Sequence, residues 1–245
     1  MTGQEHARSP RVTIVIPIYN EEGILRSSVV DLVDRLDAMK LDYEILLAEN
    51  GSIDRTRELC AELHARYPQV DHFSTGEPGH GNYGKALQRG ILRARGEIVI
   101  CEEIDLCDTD FHARAIELLD RREAELVIGS KLAEGAEDER PFVRHLGSVV
   151  INGMLRVALG FRGTDTHGLK AFRRDVLAPI AERCVVDKDL FASELVIRAE
   201  REGVAVREIP VRVKEKREPS VHLFRRVPNV LKNLAKLVIA IRLKG

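Results

Sequence analysis

Three short segments of this 245-residue chain gather acids and amides: Asn20-Glu21-Glu22, Glu49 to Thr56 (ENGSIDRT), and Glu102-Glu103-Ile104-Asp105. Each directly follows a short apolar run. Glu103 and Asp105 stand two apart, so both carboxylates can reach one hard cation through oxygen ligands. Acids and amides at such positions suit a ribose, a base edge and a metal. Each segment alone has a plainer reading. Asn20-Glu21-Glu22 and Ser52 to Asp54 serve equally as helix caps, and Glu103 and Asp105 as solvated loop acids.

The elements that must position these groups alternate. Val12 to Pro17, Tyr43 to Ala48, Val70 to Ser74, Glu97 to Cys101 and Leu126 to Ile128 are β-branched or apolar runs of strand length. Helical stretches fall between them over Glu22 to Leu36, Asp54 to Tyr67 and Gly84 to Arg95. That alternation implies an α/β fold with a mostly parallel sheet of βαβ units, flanked by helices. In such sheets ligands lie beyond the carboxyl ends of the strands, where the three segments fall. Further on, Pro141 to Leu159 and Asp189 to Glu202 are expected helices and Val204 to Val213 an expected strand, while Asp165 to Phe172 shows no clear period. Gly79 to Gly84 spells G-x-G-x-x-G, but it lies outside the first βαβ unit, where that fingerprint binds dinucleotides. It is expected to be a mobile loop near the site.

Composition excludes several classes. Lys and Arg total 38 against 39 Asp and Glu, a net charge of -1, and Trp is absent, so neither a nucleic-acid field nor a base-stacking platform is expected. Cys60, Cys101, Cys107 and Cys184 form no zinc-type spacing and are expected to be reduced thiols of a cytoplasmic protein. No signal peptide and no apolar run of about 18 residues is evident. Residues 1–10 are expected to be a disordered polar terminus, 11–220 one domain, and 221–245 a basic amphipathic helix. That last stretch holds six Lys or Arg and no acid, with Val230, Leu231, Leu234, Leu237, Val238 and Ile241 at helical spacing. Such a helix fits the surface of an anionic membrane, or packs on its own domain or a second subunit.

VIPIYNEE, ENGSIDRT, ARGEIVICEEIDL, VIGSKLAEG, DTHGLKAFRRDVL and ELVIRAEREGVAVREIPV occur in one order over some 200 residues. In spelling and order they resemble glycosyltransferase family 2, specifically the dolichol-phosphate-mannose-synthase-like branch. The resemblance implies a GT-A-type, Rossmann-like fold and a metal-dependent inverting hexosyltransferase with a GDP- or UDP-sugar donor and a polyprenyl-phosphate acceptor. It implies Mg2+ or Mn2+ at Glu103 and Asp105. Pro17, Tyr19, Glu21, Leu47, Glu49 and Ile104 would bind the nucleotide sugar, with Lys131 and Lys216 or Arg217 neutralising phosphates. Asp165 is the expected catalytic residue: a general base if the acceptor is a hydroxyl, an orienting group if it is a phosphate. A structural pairing of Asp165 with Arg173 or Arg174 is the competing reading. His167 is read as an ordinary hydrogen-bonded histidine. The expected location is cytoplasmic, peripheral on the membrane where the tail docks.

Departures from the family spelling are Glu103 for Asp, Glu49 for Asp, Lys131 for Arg, and Asp165-Thr166-His167-Gly168-Leu169 for Asp-x-x-Ser-Gly-Phe. They keep open a soluble or cell-wall hydroxyl acceptor, and a non-catalytic nucleotide-sugar-binding subunit.

Overall fold

The computed structural model describes residues 9–139, 141–213 and 223–243. Its strands are β1 (Val12–Ile18), β2 (Tyr43–Glu49), β3 (Val70–Ser74), β4 (Ile98–Cys101), β5 (Leu126–Ser130), β6 (Glu137–Asp138), β7 (Leu169–Arg173), β8 (Val206–Pro210) and β9 (Arg212–Val213). Its helices are α1 (Leu25–Ala38), α2 (Thr56–Arg66), α3 (Tyr83–Arg93), α4 (Thr109–Asp120), α5 (Phe142–Leu159), α6 (Arg174–Arg183), α7 (Phe191–Arg201) and α8 (Leu223–Leu243). A seven-stranded sheet runs in the order β3-β2-β1-β4-β7-β5-β8. All its pairings are parallel except those of β7 with β4 and β5.

The runs read as strands are strands because helices cover both faces of the sheet. Every residue of β1, β2, β4 and β5 is buried. Side-chain alternation divides the interior in two. Ile14, Ile16 and Ile18 join α1, α2 and α4 in one core, while Val15 joins α3, α6 and α7 in the other. The chain leaves β1 for β2 and β3 on one side, then returns to β4 on the other. That reversal between β1 and β4 is the switch point beside which such sheets hold ligands.

The antiparallel strand β7 occupies the stretch without a clear period, and its direction matters. Leu169 pairs opposite Gly129 and Lys170 opposite Cys101, so the residues just before β7 reach the same rim as the ends of β4 and β5. Gly168 makes the approach close: a Cβ there would lie 1.9 Å from the Gly129 carbonyl oxygen. Helices α4 and α6 fill connections that the apolar spacing left unassigned. The expected strand over Val204 to Val213 divides after Pro210, and β9 leaves to pair with β6 in a two-stranded ribbon.

Over residues 232–242 the apolar stripe of α8 faces the domain. Leu237, Ala240 and Ile241 are buried, with Leu234 and Val238 packed against the second core. Lys232, Lys236 and Arg242 remain exposed.

Candidate active site

The turns after β1 and β2 are laced together. Asn20, in the left-handed region with φ 54°, donates its amide to Ser52 Oγ (3.0 Å) and accepts from the Ile53 amide through Oδ1 (2.9 Å). The Glu21 amide reaches Thr56 Oγ1 at 2.8 Å, and the Arg55 amide reaches Glu22 Oε2 at 3.0 Å. These acids and hydroxyls therefore cap one another's backbone as well as standing on the rim. Glu49 is fully buried, accepting from the Ser52 amide and from Arg57 Nε at 2.9 Å. Burial pushes its carboxyl up, but the Ser52 and Ser74 hydrogen bonds and Arg57 prevail and hold it below its ordinary value.

The loop before α3 is fastened rather than free. Asn82 caps the helix through Lys85 N (3.0 Å), accepts from Lys188 N (2.9 Å) and donates to Asp187 Oδ2 (2.8 Å). Its own amide donates to Asn50 Oδ1. Gly81 lies against the Tyr19 ring, where a Cβ would come within 2.9 Å.

After β4 the four residues of the acidic turn divide in role. Glu102 is buried and paired with buried His112 beneath the turn. Ile104 is buried in the first core. Glu103 is exposed, and Asp105 is partly exposed. Desolvation and the charge of Asp105 push Glu103 above its ordinary value, while Lys131 and Lys170 pull it back. Tyr83, at the start of α3, is 39% exposed, and desolvation of its hydroxyl and then the charges of the acid turn, Glu103 first, hold it well above its ordinary value.

Opposite stand the cations. Lys131 Nζ donates to Asp165 Oδ2 at 2.7 Å. Asp165 also accepts from the His167 amide (2.9 Å). Burial raises its carboxyl, but Lys131 and the His167 amide outweigh it and leave it below its ordinary value. Arg173 instead pairs with Glu97, and Arg174 donates to the Gly96 carbonyl oxygen, so neither partners Asp165. His167 meets Thr166 Oγ1 at 3.1 Å. Lys170 is buried and donates to the Gly168 carbonyl oxygen at 2.7 Å. Burial lowers its ammonium below its ordinary value, against the pull of the Asp165 and Glu103 carboxylates. Cys101 is pushed up to about 12 by burial, and so stays a thiol at neutral pH.

Glu103, Asp105, Lys131 and Asp165 thus come together on one rim. Tyr19 and Glu21 lie at the neighbouring β1 turn, Tyr19 being 36% exposed and Glu21 9%. Leu47 and Ile104 lie in the core, Pro17 and Glu49 are buried, and Lys216 and Arg217 fall outside the described residues. Lys170 and Tyr83 are the rim residues that sequence reasoning missed. A lysine at an interior position of a short apolar run was the available signal for Lys170.

A family model described as "Glycosyl transferase family 2" matches residues 13–181. Glycosyltransferase AglD of Haloferax volcanii is 28% identical over 223 residues, covering 89% of this chain and 35% of that protein. Dolichyl-phosphate beta-glucosyltransferase ALG5D of Trichomonas vaginalis is 28% identical over 214 residues, 82% of this chain and 64% of that protein. The chain thus spans about a third and just under two thirds of these two relatives. Glucosyl-3-phosphoglycerate synthase from Mycobacterium tuberculosis, solved with Mn2+, UDP and glucosyl-3-phosphoglycerate, superposes with a TM-score of 0.64 at 18% identity. That match covers 94% of this chain and 80% of the other, and shows a shared fold.

Proposed function

The chain belongs to glycosyl transferase family 2, and from that premise we propose that it moves a hexose from a GDP- or UDP-sugar to a polyprenyl phosphate, with inversion. The observation that carries this reading is the meeting on one rim of the Glu103-Ile104-Asp105 turn after β4, Lys131 after β5, Asp165 just before β7 and Lys170 near its start. A relative named for dolichyl phosphate supports the acceptor class.

The acid pair fits Mg2+ or Mn2+. Among the described residues no group of three His, Cys, Asp or Glu forms a cage by itself. Mg2+ commonly uses one or two carboxylates and completes its shell with phosphate oxygens and water. Desolvation and then the charge of Asp105 raise Glu103, and a divalent cation would offset both. When bound, the cation stabilises charge growing on the diphosphate leaving group.

In the proposed displacement an acceptor phosphate oxygen bonds to the anomeric carbon as the bond to the donor diphosphate breaks, and that electron pair leaves with the diphosphate. Lys170, with Lys216 or Arg217, offsets the phosphate charge. A phosphomonoester has its second pKa near about 6, so the acceptor is largely ionised at neutral pH and needs no general base. Asp165 then orients Lys131 and the acceptor. Tyr19 flanks the nucleoside, with Glu21 beside it and Pro17, Leu47, Glu49 and Ile104 shaping the wall from behind. A cytoplasmic enzyme at the membrane surface would meet both substrates.

The test is transfer with Mn2+ from GDP-mannose, UDP-glucose or UDP-N-acetylglucosamine to a short-chain, water-soluble polyprenyl phosphate, read by mass spectrometry. A lipid-phosphate product from one donor is expected. Transfer to soluble hydroxyl acceptors alone would replace the acceptor assignment. Donor binding without transfer to any acceptor would mark a binding subunit.

A further inference from the structure

Helix α5 is apolar on both sides, yet among the described residues only one side is covered. Leu155 and Leu159 enter the second core. On the opposite face Leu146, Val149, Val150 and Val157 are 47%, 46%, 50% and 87% exposed. At about 100° per residue, Leu146, Val150, Gly153 and Val157 form one stripe with Val149 at its edge. Among the described residues, nothing outside the helix's own backbone and the adjacent residues lies within 4 Å of where a Gly153 Cβ would stand. A helix that is apolar all round belongs in a protein core or in lipid.

The segment that carries this stripe is basic in sequence. Between Glu139 and Asp165 the sequence holds Arg140, Arg144, Arg156 and Arg162 and no acid. Arg156 and Arg162 are exposed. Helix α8 packs against α5 and exposes Lys232, Lys236 and Arg242. Of the acids near the helix, Glu200 accepts from the Arg162 amide at 3.3 Å, and Glu137, Asp138 and Glu139, on the β6 side, are met by Arg212 and His145. An apolar stripe with a cationic surround matches an anionic bilayer surface. A contact between copies of this chain would set those cations close together.

The inner face of α5 bears on the site. Asn152 Oδ1 accepts from the Thr166 amide (3.3 Å) and hydroxyl (3.2 Å), and the next residue, His167, gives its amide to Asp165. One helix thus shows apolar side chains outward and holds the Asp165 loop inward.

We propose that α5 lies in the plane of an anionic lipid bilayer, with Leu146, Val149, Val150 and Val157 in the acyl region, and sets the Asp165 loop at headgroup level. The placement deepens the lipid-phosphate reading above, but docking itself does not require turnover. No helix among the described residues is long and apolar enough to cross a membrane, so the contact is interfacial.

The experiment is co-sedimentation of the full chain with phosphatidylcholine vesicles, with and without phosphatidylglycerol. Binding to the anionic vesicles is expected, with a loss of about tenfold or more in partitioning for Val157→Glu and a larger one for Val150→Glu/Val157→Glu. Both positions are at least half exposed, so Tm and metal-dependent donor binding should be unchanged. No sedimentation of the wild type, or equal sedimentation of the variants, overturns the proposal. So does a wild-type dimer that the double variant turns into a monomer without any vesicle binding. Transfer to the short-chain acceptor without vesicles separates the two readings: its absence in the wild type would sink the activity and leave docking standing.

Discussion

Lys131 Nζ and Asp165 Oδ2 lie 2.7 Å apart, with side chains only 9% and 1% exposed. Removing one member of a buried pair strands the other charge. Lys131→Met should therefore cost about 3–5 kcal/mol at neutral pH, and Lys131→Met/Asp165→Leu should recover most of it. The pH dependence has a definite sign. The folded carboxyl titrates below its ordinary 3.8, so its contribution is present above that value and fades as pH falls through the folded pKa. Urea unfolding across that range should show the gap between wild type and Asp165→Asn closing on the acid side. A gap that does not depend on pH would contradict the assignment.

Asp165 also has a kinetic signature. A general base typically contributes about 10²–10⁴-fold, and an ionised phosphate acceptor has no proton to give up. Asp165→Asn should lose less than about a hundredfold in kcat with a lipid-phosphate acceptor. Single-turnover rates would check this, and a larger loss with a new pH dependence would make Asp165 a base.

Gly168 carries the Asp165 loop into β7 with no room for a methyl group, since its Cβ would stand 1.9 Å from a backbone oxygen of Gly129. Gly168→Ala should lower stability by about 1–3 kcal/mol. Gly147→Ala, at an open helical position, should gain about 0.5–1 kcal/mol. Thermal melts of the two variants moving in the same direction would contradict this account.

Helix α8 belongs to the core of the domain. Leu237→Ala should cost about 2–5 kcal/mol, whereas Ile239→Ala, at a half-exposed position, should stay within about 0.5. Equal effects in denaturant titrations would mean that the stripe does not pack as described.

The parallel half of the fold was legible because strands buried on both faces are written as uninterrupted β-branched runs, as in Val12–Ile18. Strand β7 was not, because Lys170 interrupts Leu169–Arg173 and a charged residue is ordinarily read as solvated. Its antiparallel direction, which brings Asp165 to the rim, comes from long-range pairing that no local period records. The acid turn after β4 was visible, but its division into a buried Glu102 and an exposed Glu103 was not. That division depends on His112, ten residues on in α4, a helix the apolar spacing did not disclose.

The most direct test of the account is calorimetric titration of GDP-mannose, UDP-glucose and UDP-N-acetylglucosamine with and without Mn2+, on the wild type, Glu103→Gln and Asp105→Ala. One donor should bind in a metal-dependent way to the wild type, and both variants should lose that dependence. Metal-dependent binding that survives in Asp105→Ala would contradict the placement of the cation at this acid pair.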